Sequence, residues 1–587
     1  MVIQNMANEH TEQKQSRFNQ RVCPISALVQ NDQTRRKFLT GLGTAGAAGL
    51  AGCASSPGEG SSSSGGGSNN SNGSDSSGNS SSVSGSNDAK TLRMNSVQRF
   101  GTIDPAKGTD YTQTLALLNM YDPLVFPNSD GELEPHLASE WTVSDDNLTY
   151  TFTIRKGATF HSGESVTAED VKFTLDRFMD INKGFASLLS NILSKESVTV
   201  SDERTVEFTL DQVHSPFLAT LVLLFIVDKK TILDNKKDGD YQDRGDYGQS
   251  YLNNNDAGSG PYTLDSFERQ SSISFAKYDD YWDGWDKNAY EGVEVNIITE
   301  DSTVRSLMKN GELDMTSQYQ STETFQALEK MEGVRVETIP TVTLFYMKMN
   351  TQKSPTDDPA VRKAISHGFN YETVRSEISP GSKQAIGPLA PSFNAHKSNI
   401  KQPTYDPKRA RQILSDAGYQ EGDLKISQAY IQSNNMEEKV GLLFQENMNE
   451  IGIDVELNPQ TWGTITELAT SVKKTPHVNQ VFYGPVYPSP DTVFYNQYHS
   501  EAASSWISMS HLENDKVDSM IEEARQTVDA DARAEIYGKL QNKLVELAPD
   551  IFGFVQAKKH GFAKSVQGYT YRPSQSYDYW FHNYHHQ

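Results

Sequence analysis

The sequence has few cysteines and no long apolar stretch. Only Cys23 and Cys53 are present among 587 residues, too few for a disulfide framework or a cysteine-based zinc site. No segment approaches the ~20 apolar residues of a transmembrane helix. The longest candidate, residues 217–227, is predicted to be a buried helix or strand.

Positive charge and catalytic motifs are also scarce. The chain has 53 Lys and Arg against 76 Asp and Glu, a formal net charge of −23. This balance disfavours nucleic acid or an anionic membrane surface as a partner. The patterns G-x-S-x-G, H-E-x-x-H and the Walker loop are all missing, so an enzyme is disfavoured. We therefore predict no catalytic residue and no cofactor, although a hydrolase of another kind stays open.

The N-terminal segment has the layout of an export signal. Arg35 and Arg36 precede a mildly apolar, Gly/Ala-rich stretch, as in twin-arginine signals. The stretch ends in Leu-Ala-Gly-Cys, which is similar to a lipobox with Cys53 as the lipidated residue. An accidental cysteine is the alternative. Residues 1–53 are therefore predicted to be a twin-arginine lipoprotein signal, and the Ser/Gly-rich residues 54–90 a flexible tether.

A folded region follows, and residues 137–178 are its most informative part. Tyr150, Phe152 and Ile154 alternate with polar residues, which is typical of a strand with one buried face. Thr167, with Asp170 three residues later, is a good start for a helix. The segment predicts a strand, two tight turns and an amphipathic helix.

Three segments together are similar to one known family. They are residues 137–178 (LASEWTVSDDNLTYTFTIRKGATFHSGESVTAEDVKFTLDRF), the pair 258–262 (GSGPY) and 278–284 (YDDYWDG), and residues 304–315 (VRSLMKNGELDM). This set resembles the extracellular solute-binding proteins of family 5, the oligopeptide-, dipeptide- and nickel-type receptors of ABC importers. The resemblance covers roughly residues 91–572.

The resemblance implies an α/β fold of the type II periplasmic-binding-protein class, with two lobes joined by hinge crossovers and an extra subdomain. The expected boundaries are 91–125 for the first part of lobe I, 126–257 for the extra subdomain, 258–345 for the second part of lobe I, 346–552 for lobe II, and 553–587 for the return to lobe I and the tail.

The resemblance also points to ligand-binding residues. On lobe I these are Thr109 and Tyr111; on lobe II they are Trp462, Tyr483, Tyr487 and Asp491, within or near an aromatic segment punctuated by Pro and Gly. In peptide-binding members an Asp immediately before the Tyr-Pro pairs with the peptide ammonium. Val486 occupies that position here, so a free peptide N-terminus is not expected to be recognised in that way.

The implied function is a monomeric receptor, lipid-anchored at the outer face of the cell membrane. It would close on a peptide or another small solute and deliver it to a permease with ATPase subunits. An oligosaccharide or a nickel chelate is an alternative ligand, and a sensory receptor of the same fold is an alternative role.

Two groups of residues raise the possibility of a metal, and neither is predicted to hold one. Asp238, Asp240 and Asp243 lack the spacing of a calcium loop. His582, His585 and His586 are expected to lie in an exposed, frayed tail.

Overall fold

The computed structural model describes residues 90–432 and 434–587. The predicted export signal, Cys53 and all but the last residue of the predicted tether lie outside these residues.

The described residues contain both long and short strands. They are β1 Thr91–Ser96, β2 Val125–Pro127, β3 Leu133–Pro135, β4 Ala138–Val143, β5 Thr149–Ile154, β6 Val198–Asp202, β7 Thr205–Thr209, β8 Tyr262–Glu268, β9 Ser272–Lys277, β10 Gly292–Ile297, β11 Val334–Met349, β12 Lys383–Gln384, β13 Leu424–Ile431, β14 Ile453–Gln460, β15 Val478–Tyr483, β16 Asp550–Ala563, β17 Val566–Gln567 and β18 His585–His586.

The α-helices lie between these strands and mostly begin at a side-chain cap. They span Tyr111–Met120, Ala168–Ile181, Ala186–Ser190, Phe217–Thr220, Lys229–Asp234, Asp301–Asn310, Thr322–Leu328, Pro359–Gly368, Tyr371–Thr373, Pro407–Asp416, Asn435–Glu450, Trp462–Leu468, Pro490–Tyr498, Asp515–Gln526 and Ala530–Leu547. Asp358 and Asp406 cap helices whose first residue is proline, as the sequence predicts.

Lobe I is built on a four-stranded sheet in the order β1-β10-β9-β8. The first two strands are parallel and the remaining pairs antiparallel. The extra subdomain has its own antiparallel sheet, in the order β4-β5-β7-β6. The predicted strand around Tyr150 is confirmed as β5, and β7 and β6 continue the sheet beside it. These two regions share one hydrophobic core.

Lobe II is built on a six-stranded sheet in the order β12-β16-β11-β15-β13-β14. Helices cover both faces of the sheet, so side chains on both sides of its strands are buried. In β11, Phe345 and Met347 face one core, whereas Leu344 and Tyr346 face the other.

Two long strands connect the lobes. Residues 334–340 of β11 pair with residues 557–563 of β16, and residues 344–348 of β11 pair with residues 550–555 of β16. The register shifts between Pro340 and Leu344. Phe562, in the segment of β16 that pairs with residues 334–340, forms an isolated β-bridge with Met315. Met315 in turn forms a β-bridge with Met94 of β1 in lobe I. The expected hinge crossovers are therefore present, as β11 and β16.

Two of the three family-like segments, 137–178 and the pair 258–262 and 278–284, meet in space. His161, from the first segment, donates its backbone N–H to the carbonyl oxygen of Gly258 at 2.8 Å. Its imidazole contacts the Asp256 carboxylate at 2.6 Å and the Gly260 carbonyl oxygen at 2.9 Å. Tyr278 donates its hydroxyl to the Phe160 carbonyl oxygen at 2.9 Å. These segments therefore join the extra subdomain to lobe I.

A buried ion pair reinforces this joint. Arg177, in the helix Ala168–Ile181, donates to both carboxylate oxygens of Asp104 at 2.7 and 2.8 Å. It also donates to the Tyr247 carbonyl oxygen at 2.9 Å. Both charged side chains are almost fully buried.

Two expectations about the C-terminal region are wrong. The sequence predicts that residues 566–572 return a strand to lobe I, whereas the returning strand is β16 and only Val566 and Gln567 of that range form a strand. The tail is packed instead of frayed: Tyr577, Tyr579, Phe581 and Tyr584 are buried, and His585 and His586 form β18 against β17.

Candidate functional site

Thr109 and Tyr111 lie on lobe I at the start of the helix Tyr111–Met120, which Asp110 caps. The Tyr111 ring packs edge-to-face against Tyr319 and Tyr579, with centroids 5.6 and 5.2 Å away. Tyr319 belongs to a loop between two lobe I elements and was not predicted as a site residue. The sequence offers only an aromatic residue in a loop to mark it.

Tyr319 has an unusual combination of accessibility and environment. Its side chain is 46% exposed, although burial, with a contribution from the charge of Asp578, raises its pKa to about 12.

Trp462 and Tyr483 lie in an aromatic row on lobe II. Trp462 is the first residue of the helix Trp462–Leu468 and is 42% exposed. Its ring packs edge-to-face against Trp506 at 5.0 Å, and Trp506 lies 6.3 Å from Tyr483. Tyr483 ends β15 and is buried, and its hydroxyl donates to the Thr492 carbonyl oxygen at 2.8 Å. Of the two, Trp462 offers the accessible surface.

Tyr487 and Asp491 form a buried polar pair. The Tyr487 hydroxyl donates to the Asp491 carboxylate at 2.7 Å. The other carboxylate oxygen lies 3.3 Å from Nε of Arg525, at ion-pair distance. Burial raises the pKa of Asp491, and the Arg525 cation opposes that rise. This carboxylate is therefore already engaged by two protein groups.

A loop near the C-terminus, residues 572–576, connects the predicted residues of the two lobes. Ser574 donates its hydroxyl to the Val486 carbonyl oxygen at 2.9 Å, on lobe II. Gln575 donates its side-chain amide to the Thr109 carbonyl oxygen at 3.1 Å, and Ser576 donates its hydroxyl to the Tyr111 carbonyl oxygen at 2.8 Å. This loop was missed from the sequence, where only its turn-forming composition marks it.

The same loop begins at the hinge. The Tyr571 hydroxyl accepts a hydrogen bond from the Val342 N–H at 3.0 Å, where the register of β11 shifts. The structure thus brings Thr109, Tyr111 and Tyr487 to one loop next to the hinge. Trp462 and Tyr483 lie in the separate aromatic row on lobe II.

No metal centre was found within the portion of the chain that is described. Residues 90–432 and 434–587 contain no group of three or more His, Cys, Asp or Glu side chains placed to hold a metal ion. His582 donates its Nε2–H to the Gly284 carbonyl oxygen at 2.8 Å.

Within residues 90–432 and 434–587, no helix combines the length and the apolar character needed to cross a bilayer.

Comparison with known proteins identifies the family. The model of the bacterial extracellular solute-binding proteins, family 5 (middle), matches residues 132–505. The probable D,D-dipeptide-binding periplasmic protein DdpA of Escherichia coli is 26% identical, over 80% of this chain and 90% of that protein.

Solved structures agree. DppA of Helicobacter pylori, in complex with the peptide STSA, superposes with a TM-score of 0.72 at 26% identity, over 84% of this chain and 98% of that one. NikZ of Campylobacter jejuni, in complex with Ni(L-His), shares the fold with a TM-score of 0.72 at 19% identity, over 85% and 99% of the two chains. This chain, with two lobes joined by β11 and β16, belongs to the bacterial extracellular solute-binding proteins of family 5.

Proposed function

We propose that this protein is the receptor of an ABC importer, which captures a peptide or a related small solute by hinge closure and delivers it to a permease driven by ATPase subunits. One observation carries the proposal: the lobes are joined by the paired strands β11 and β16, and Thr109 and Tyr111 of lobe I and Tyr487 of lobe II lie at one loop beside that joint. Closure would be driven by contacts that the solute makes with both lobes at once.

The predicted ligand residues remain the proposed wall of the cleft. Thr109 and Tyr111 supply the lobe I side, to which we add Tyr319 because its ring is accessible. Trp462 supplies an aromatic surface on lobe II. Tyr483, Tyr487 and Asp491 are buried, and hydrogen bonds within the protein engage both tyrosine hydroxyls and one Asp491 carboxylate oxygen, so we propose that they shape the wall.

Charge at the cleft favours a solute without a free ammonium group beside the loop 484–490. Val486 offers no carboxylate, and the nearby Asp491 is engaged by Tyr487 and Arg525. A buried ammonium without a counter-charge is unfavourable by several kcal/mol. A peptide with a blocked N-terminus fits these residues, and so does a neutral oligosaccharide.

The N-terminal residues support a location outside the cell. We propose export by the twin-arginine route and lipid attachment at Cys53, with residues 54–90 as the tether. The relatives are named as binding proteins, and we propose that this chain likewise binds its solute without chemical change, as a monomer.

Ligand-induced thermal stabilisation tests the ligand proposal. The full chain is heated with trialanine and with N-acetyl-trialanine amide, since a ligand that binds only the folded state raises the melting temperature. We expect the capped peptide to stabilise the protein more than the free one. Equal or stronger stabilisation by free trialanine would contradict our interpretation of Val486.

Substitution at Val486 sharpens this test. Val486→Asp supplies the missing carboxylate and should raise the affinity for free trialanine about tenfold or more relative to the capped form. Val143→Asp is the matched control, because Val143 is 39% exposed in the extra subdomain, and it should leave the preference unchanged. If neither peptide binds, a neutral oligosaccharide pool is tested next.

A further inference from the structure

A second contact between lobe II and the remainder of the molecule lies in the extra subdomain. Ser215 donates its backbone N–H to the Arg525 carbonyl oxygen at 2.7 Å. Its hydroxyl donates to the Ala524 carbonyl oxygen at 3.3 Å. Both acceptors belong to the last turn of the helix Asp515–Gln526. Ser215 thus binds the C-terminal end of a lobe II helix.

The acceptors suit such a contact. The last carbonyl groups of a helix lack partners within the helix and carry partial negative charge. The Arg525 carbonyl oxygen receives a donor from Ser215, and the Ala524 carbonyl oxygen receives one from Ser215 and one from Thr527.

The subdomain side of the contact is rigid. Ser215 precedes Pro216 and Phe217, and the Phe217 side chain is fully buried. The Phe217 ring packs against Tyr150 and Phe208, with centroids 4.6 and 5.7 Å away. The orientation of the Ser215 donors is therefore fixed by the subdomain core.

The lobe II side is linked to the cleft. Arg525, whose carbonyl oxygen binds Ser215, places its guanidinium beside the Asp491 carboxylate. Asp491 accepts the Tyr487 hydroxyl, and the Tyr487 ring belongs to the core shared by lobe I and the subdomain. The groups around Arg525 fix it further: Glu522 binds its guanidinium at 3.0 Å, and the Tyr495 ring lies 3.9 Å away.

The His214 side chain does not repel the Arg525 guanidinium, because it carries no charge. Its side chain is 3% exposed, and burial, together with the charge of Arg525, lowers its pKa to about 3. His214 is therefore neutral at physiological pH.

We propose that Ser215 and the C-terminal end of the helix Asp515–Gln526 form a latch that holds the lobes closed, and that Arg525 is a positioning residue linking this latch to the cleft loop through Asp491. The inference rests on the proposed function, because it assumes that closure captures the solute. The extra subdomain then influences ligand affinity without contacting the ligand. A weaker latch lowers the fraction of molecules that can close, and the apparent affinity decreases in proportion to that fraction.

Two opposite charges at one position test the latch. Ser215→Asp places an anion against helix C-terminal carbonyl groups, which is unfavourable, whereas Ser215→Lys places a cation there, which is favourable. Gln212→Asp adds the same negative charge at an exposed position of the same loop and is the matched control.

Distances between spin labels report closure without a known ligand. The full chain carries Cys23→Ser and Cys53→Ser, with labels on cysteines introduced at Glu203, an exposed residue of the subdomain, and Lys516, an exposed residue of lobe II. Pulsed electron paramagnetic resonance then gives the ratio of closed to open molecules. We expect Ser215→Asp to lower this ratio by about threefold or more, and Ser215→Lys to leave it unchanged or raise it.

The distance measurement either supports or overturns the latch. A ratio that Ser215→Asp leaves at the wild-type value would overturn the latch. So would equal losses in Ser215→Asp and Ser215→Lys, since those indicate damage to the subdomain, or an equal loss in Gln212→Asp. The distance measurement needs no solute, so the latch and the proposed solute can fail independently.

Discussion

The buried pair of Arg177 and Asp104 gives the sharpest stability prediction. Arg177 makes two hydrogen bonds to the carboxylate and one to the Tyr247 carbonyl oxygen, and both charged side chains are at most 2% exposed. Arg177→Met leaves Asp104 buried next to Lys107, whose ammonium lies farther away, at 3.4 Å.

The expected loss follows from this geometry. Removing one partner of a buried ion pair leaves an uncompensated charge and lowers the free energy of unfolding by about 3–5 kcal/mol. The contribution depends on pH. Burial tends to raise the pKa of Asp104, but the Arg177 cation and its hydrogen bonds outweigh burial, and the pKa lies below its usual 3.8. A carboxylate with a lowered pKa stabilises the fold above its unfolded-state pKa and loses that contribution as pH falls through the folded-state pKa.

Urea unfolding at pH 7 and at pH 3–4, followed by tryptophan fluorescence, measures both effects. The difference between wild type and Arg177→Met should be largest at neutral pH and should shrink in acid. The matched control is Lys195→Met, because Lys195 pairs with Asp180 at a similar 2.8 Å but is 44% exposed. Loss of this exposed pair should lower the free energy of unfolding by less than about 1 kcal/mol.

A loss of stability in Arg177→Met no larger than that in Lys195→Met would show that burial adds nothing to the Arg177–Asp104 pair. A loss that is independent of pH would also contradict the prediction, because the lowered pKa of Asp104 would then have no counterpart in the folding equilibrium. In the double variant Arg177→Met, Asp104→Leu, part of the stability should return, since no buried charge is left unpaired.

Four further predictions concern His161 and Gly258 at the joint between the extra subdomain and lobe I, and Trp462 and Gly463 in the helix Trp462–Leu468. Burial tends to lower the pKa of His161, but the charge of Asp256 outweighs burial and raises it; this contribution to stability is complete below about pH 6.5 and is lost as pH rises through the folded-state pKa. His161→Gln should therefore flatten the pH dependence of the free energy of unfolding above neutrality, and an unchanged slope would contradict this. Gly258→Ala would force its Cβ into a backbone carbonyl oxygen and should prevent stable folding, measured as soluble yield and circular dichroism. Gly463→Ala, in a helix with open space around the new Cβ, should stabilise by about 0.5–1 kcal/mol. Trp462→Ala should weaken solute binding, seen by isothermal titration calorimetry, while the melting temperature of the ligand-free protein stays within about 2 °C because the ring is exposed.

Local patterns predicted the elements that are decided locally. The alternation around Tyr150 predicted β5, the spacing after Thr167 predicted the helix Ala168–Ile181, and Asp406-Pro407 predicted a helix start; all three are confirmed. In each case the residues that form the pattern belong to the predicted element or stand directly next to it in the sequence.

Contacts between distant segments could not be predicted in this way. β16 contains the polar run Lys558–His560, and it is a strand because it pairs with β11, more than 200 residues earlier. The tail was predicted to be frayed, whereas Asn119 binds the backbone of both Tyr579 and Phe581. The aromatic residues of the tail are buried by partners that its own sequence does not contain.

The same limit applies to the site. The aromatic segment near Tyr487 and the missing carboxylate at Val486 can be read locally. The engagement of Asp491 by Arg525 cannot, because the two residues are brought together by the packing of separate helices. The loop 572–576 is likewise assigned to the site only by its contacts with Val486 and Thr109.

Native mass spectrometry of the full chain tests the central claim most directly. The protein is purified without ligand stripping and then offered a mixed pool of free peptides, capped peptides and neutral oligosaccharides. We expect one discrete solute mass per protein molecule, released unchanged and lacking a free N-terminal ammonium group. A chain that binds no member of the pool, or that returns a chemically altered product, would contradict the assignment of a solute receptor.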